Sequence, residues 1–198
     1  MKIGLLVDGR SEYEALPHLL GRLRTEHTIL QRPLKCDIQP HASPAQMALA
    51  ASKKFPILLH QGADFIVILI DKETRQDCTV ELVQAVEREA SERLSKLNPE
   101  AWVQVVFKVA CFENWLVADP QALRDLTGLF EKVERIERKV APNRADSVNA
   151  LELLKSCSRQ KSYDKPGGAL AICKKLDPQR AAANSRSFRK LLKTLGHR

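Results

Sequence analysis

Six acidic residues fall where an alternating strand–helix chain most easily assembles chemistry. Asp8 directly follows the apolar run Lys2–Val7, and Glu12 comes shortly after it. Asp71 follows the run Asp64–Ile70, with Glu73 close behind. Glu113 follows the run Trp102–Ala110, and Asp119 lies a little further on. If the three runs are parallel strands, their carboxyl ends share one rim, the place where open α/β sheets bind ligands. Carboxylates crowded on one rim repel each other unless a cation neutralises them. Donors that are all oxygen favour a hard ion, Mg²⁺ or Mn²⁺, over zinc.

Competing chemistries lack their residues. There is no GxxxxGK[ST] loop, no GxGxxG after the first strand and no GxSxG elbow. The five histidines show neither HExxH nor HxH spacing, and the five cysteines form no CxxC pair, so zinc and disulfide frameworks are set aside. A phospho-acceptor site is conceivable, with Asp8 in an acidic pocket, Asp71 as acceptor and Lys108 as counter-cation. Two details speak against it: the acids after the first strand are not consecutive, and Lys108 lies inside a strand pattern.

The elements that must position these acids alternate along the chain. Besides the three strong strands, a weaker one spans Thr28–Pro40 and is interrupted by Pro33. Ser11 with Glu14 reads as a capping box opening a helix to about Arg24, and Ser43 with Gln46 opens another to about Phe55. Thr79 to Leu97 carries Leu82, Val83, Val86, Ala90, Leu94 and Leu97 on one side, an amphipathic helix. This order predicts an α/β fold with a parallel-rich, four-stranded sheet flanked by helices. Beyond Ala110 the pattern is helical, with linkers at 141–147 and 158–168. The expected organisation is an α/β domain over 1–140 and a basic helical C-terminal extension over 141–198, packed on it.

Charge is unevenly spread. Residues 155–198 hold 12 lysines and arginines against 2 acids, whereas residues 1–154 hold 20 against 22. A basic quarter on a near-neutral body points to nucleic-acid phosphates as partner. No apolar run reaches the length of a membrane span and the N-terminus lacks the pattern of a signal peptide, so a cytoplasmic protein without membrane contact is expected.

Val7-Asp8-Gly9-Arg10-Ser11-Glu12 and Ile70-Asp71-Lys72-Glu73 resemble the motif pair of the Toprim fold, in which an acid after the first strand faces a DxD-type pair after the third. Asp8 stands where that family usually has Glu, and Glu73 where it has the second Asp. The segment Glu113-Asn114-Trp115 through Asp119, with Lys165-Pro166 and Ser185-Arg186-Ser187-Phe188, resembles a small, largely uncharacterised Toprim-like bacterial family. It is related in motif pattern to nucleases of the overcoming-lysogenization-defect type.

The resemblance implies Mg²⁺- or Mn²⁺-dependent phosphodiester hydrolysis of nucleic acid in a bacterial defence or mobile-element setting, beside an ATPase partner. Asp71 and Glu73 would hold metal, Glu113 or Asp119 would complete the site, and Asp8 with Glu12 would serve as ligand or general base. Lys165 would stabilise charge on the rim. Lys161, Lys174, Lys175, Arg186, Arg189, Lys190 and Lys193 would track the phosphate backbone of duplex DNA or structured RNA. The alternatives are a non-catalytic or partner-activated subunit docking on the ATPase, and a small-molecule phosphohydrolase.

Overall fold

The computed structural model describes residues 1–39, 41–160 and 162–197. The strands are β1 (Lys2–Val7), β2 (Thr28–Ile29), β3 (Leu34–Lys35), β4 (Phe65–Asp71) and β5 (Trp102–Lys108). All pairings are parallel, in the order β2-β1-β4-β5, with β3 also paired to β1. The sheet thus has five strands rather than four. Proline has no N–H for a ladder, and the segment around Pro33 splits the expected strand into two short pieces on the same edge of β1.

Both faces of the sheet are covered, which is why β1, β4 and most of β5 read as continuous apolar runs rather than alternating ones. Leu6, Ile66, Ile68, Ile70 and Val105 pack beneath α2 (Pro44–Ser52), α3 (Phe55–His60) and α4 (Thr79–Ser95). Ile3, Leu5, Val7, Val67, Leu69 and Val106 pack on the other face beneath α1 (Arg10–Leu20) and the C-terminal helices. These are α5 (Glu113–Val117), α6 (Pro120–Arg124), α7 (Glu134–Val140), α8 (Ala150–Cys157), α9 (Lys165–Lys175), α10 (Pro178–Asn184) and α11 (Arg186–Thr194). Each such fully buried aliphatic side chain contributes about 1.5–3 kcal/mol.

Two helix starts show what local sequence can and cannot do. At α2 the capping box forms: the Gln46 amide N–H donates to Ser43 Oγ at 3.3 Å, and the Ser43 N–H donates to Gln46 Oε1 at 2.9 Å. At α1 no box forms. The N-cap is Gly9, no side chain caps it, and the helix ends at Leu20 rather than Arg24.

α9 lies beside α1 and runs the same way. Arg22, just past the end of α1, donates from Nη2 to the carbonyls of Cys173 and Leu176 at 2.5 and 2.9 Å. Both helices therefore start at the carboxyl end of the sheet and finish at the amino end. The extension 141–198 shares one apolar cluster with α1 and the sheet. No helix among the described residues is long and apolar enough to cross a membrane.

Candidate metal centre

Parallel pairing brings Asp8 and Asp71 together, as β1 and β4 are neighbours. The Asp71 N–H donates to Asp8 Oδ2 at 2.7 Å, stitching the first acid to the end of β4. Glu12, on the first turn of α1, points inward instead of capping its helix and is buried. Gly9 makes this possible, because a Cβ there would meet Glu12 Oε2 at 2.1 Å. Asp8, Glu12 and Asp71 each offer an oxygen within 4.8 Å of the others.

At their centre is Lys108, the last residue of β5, with no exposed surface. Its Nζ donates to Asp8 Oδ1 at 2.7 Å, pairs closely with Glu12 Oε1, and lies 3.1 Å from Asp71 Oδ1. Burial alone would lower the Lys108 ammonium, but Asp71, Asp8 and Glu12 outweigh it and hold its proton affinity well above the ordinary value. Burial pushes the Asp71 carboxyl up to about 7; Lys108 opposes the rise, while Asp8 and Glu12 add to it.

This donor set suits a divalent cation. With Asp71 ionised, as it is above about pH 7, three carboxylates against one ammonium leave two negative charges uncancelled. The donors are all oxygens, as Mg²⁺ and Mn²⁺ prefer. Asp71 Oδ1 is buried and, despite its 3.1 Å approach to Lys108, accepts no aligned hydrogen bond. Among the described residues its one close partner is the Lys108 ammonium, which leaves a lone pair that a cation could engage.

The other sequence candidates lie elsewhere. Glu73 is exposed, with backbone φ of 52° and its N–H on the Ala110 carbonyl at 2.7 Å; it is not part of the three-acid cluster. Glu113 is buried, and Lys165 Nζ lies 3.4 Å from its Oε1. Asp119 is fully buried and engaged by protein donors: Arg180 Nε at 2.8 Å and Nη2 at 3.0 Å, and the Asp177 N–H at 2.7 Å. That arrangement clamps α6 to α10. Asp119→Ala is expected to cost about 2–4 kcal/mol by stranding these donors, with cation affinity unchanged; urea denaturation and calorimetry on one sample check both.

Lys161 lies outside the described residues. Lys174, Lys175, Arg186, Arg189, Lys190 and Lys193 are all exposed. About ten residues of α9 separate Lys165 from Lys174 and Lys175, close to 15 Å of helix, so those two sit at the far end from the carboxylates. Lys108 is the residue that sequence reasoning set aside. The signal was one lysine closing a largely apolar strand, at the level where the acids gather.

A family model described as a domain of unknown function (DUF4276) matches residues 7–196. The chain belongs to that family. The matched span starts just before Asp8 and runs through α11, so the acidic cluster and the basic extension lie within one family domain. No curated protein and no solved structure matches the chain.

Proposed function

We propose that the protein is a Toprim-type nuclease that hydrolyses nucleic-acid phosphodiesters with Mg²⁺ or Mn²⁺. The observation that carries this reading is the convergence of Asp8, Glu12 and Asp71 on one buried lysine with two negative charges to spare. The Toprim resemblance supports it, since Asp8 and Asp71 stand at the positions of its two acidic motifs. Glu12, rather than Glu73, is the third member of the cluster.

Asp8, Glu12 and Asp71 would hold the ion, which when bound polarises the phosphate and lowers the pKa of a water. Lys108 keeps the three carboxylates from springing apart and fixes one oxygen of Asp8 and of Glu12. Lys165, half exposed beside Glu113 at the start of α9, presents a positive charge on the same side of the sheet and would bind a non-bridging phosphate oxygen. α9 packs alongside α1 and runs the same way, so its start lies near that of α1.

The test is cleavage of end-labelled duplex DNA and of hairpin RNA in Mg²⁺, Mn²⁺ or EDTA, by wild type and Asp71→Asn. Metal-dependent products from wild type that fall at least about 100-fold in the variant support the reading. A folded wild type that cleaves neither substrate with either metal contradicts it.

A further inference from the structure

We propose that the groove between α10 and α11 is a phosphate-backbone contact for nucleic acid, remote from the carboxylate rim. The bound substrate would then run the length of the sheet. The inference rests on the nucleic-acid reading above and extends it to where, and over what span, the substrate is held.

The groove encloses about 540 Å³, with Arg189, Lys193 and His197 as its polar wall and Ala182, Ala183 and Leu192 beneath. Among the described residues Arg189 is held by neutral acceptors: the Ala182 carbonyl and Asn143 Oδ1, the latter at 2.7 Å. These bonds order the guanidinium without cancelling its charge. Among the described residues no carboxylate lies within 4.0 Å of Arg189 or Lys193, nor of Lys174, Lys175, Arg186 or Lys190. A run of uncompensated cations is the footprint of a polyanion with regularly spaced charge rather than of a single anion. The small side chains of Ala182 and Ala183 allow a backbone to come close.

The position of the groove sets the span. The Glu26 N–H donates to the Gly196 carbonyl at 3.1 Å, and His197 Nδ1 lies 3.0 Å from the Arg24 carbonyl. Residues 25–28 lead into β2, where Thr28 pairs with Lys2 at the start of β1. The groove therefore opens at the amino end of the sheet, whereas Asp8 closes the other end of β1. Six to seven strand residues separate the two levels, about 20 Å. That distance is roughly six base pairs of duplex.

The experiment is fluorescence anisotropy in EDTA, where nothing is cleaved, with a fluorescein-labelled 20-base-pair DNA duplex and a hairpin RNA from 50 to 200 mM KCl. Arg189→Gln/Lys193→Gln is expected to bind about tenfold more weakly, with a log–log salt slope shallower by about 2. Ala183→Glu, a substitution at an exposed position of the groove, is expected to weaken binding similarly. The proposal is overturned if both groove variants bind like wild type, or if wild type binds neither probe at 50 mM KCl. Groove-dependent binding without cleavage in Mg²⁺ or Mn²⁺ would sustain this inference while removing the nuclease reading.

Discussion

Lys108→Met is expected to be the most destabilising single substitution at the rim, costing about 3–5 kcal/mol at pH 8. Methionine fills similar volume, so the loss is electrostatic: Asp8, Glu12 and Asp71 remain packed together with no counter-charge. The pH dependence separates this from a packing defect. Without the ammonium, the clustered carboxyls hold protons in the native state that the unfolded chain releases. Stability then falls as pH rises, so the penalty shrinks toward pH 5. Urea denaturation of wild type and variant at pH 5 and pH 8 measures it. Adding Asp71→Asn to the variant should restore part of the loss at pH 8. In the wild type, Lys108 has a raised proton affinity, so its contribution is complete below its unfolded value near 10.5 and is lost only in strong alkali.

The second large effect is a divergence between stability and function at Asp71. Its carboxyl is raised from 3.8 to about 7, chiefly by burial. Between those values the native state binds more protons than the unfolded one, so this group subtracts stability progressively as pH climbs from about 4 to about 7, and fully above. Asp71→Asn removes that penalty. The variant should be more stable than wild type at pH 8, on the order of 1–3 kcal/mol, and equal to it near pH 4. Cation-dependent cleavage should meanwhile fall at least about 100-fold. A residue whose removal stabilises the fold and abolishes activity is retained for function. Thermal melts at pH 4.5 and 8 beside the cleavage assay give both halves of the comparison.

Much of the fold was legible because β1, β4 and the second half of β5 are buried on both faces and so read as apolar runs, and because α4 repeats Leu82, Val86, Ala90 and Leu94 at helical spacing. The fifth strand was not, since it comes from the interruption at Pro33. Nor does the helical pattern beyond Ala110 set the bounds of α10: Asp177 caps it through the Arg180 N–H at 2.9 Å, but its buried face is Ala181 and Ala182 alone, too small for a hydrophobic period to register.

At the rim, topology carried Asp8 and Asp71 together, as strand-end positions predict. Local sequence placed Glu12 near them but did not show the buried lysine 96 residues away that holds it, and the Ser11–Glu14 box, a cap that contributes about 1 kcal/mol, does not form. Lys108 itself was hidden by its place in a strand, because period-two reasoning says which face a side chain takes and not that a long one at the strand's end can reach across two neighbours. Asp119 shows the reverse error, an acid near the rim in sequence that folding spends on Arg180.

Calorimetric titration of Mn²⁺ and Mg²⁺ into wild type and Asp71→Asn at pH 7.5 tests the metal centre most directly. Saturable binding to wild type, lost in a variant that melts at or above the wild-type temperature, is the predicted result. A folded wild type that takes up neither ion would contradict it, and Asp8, Glu12, Asp71 and Lys108 would then be a closed charge cluster that serves the fold alone.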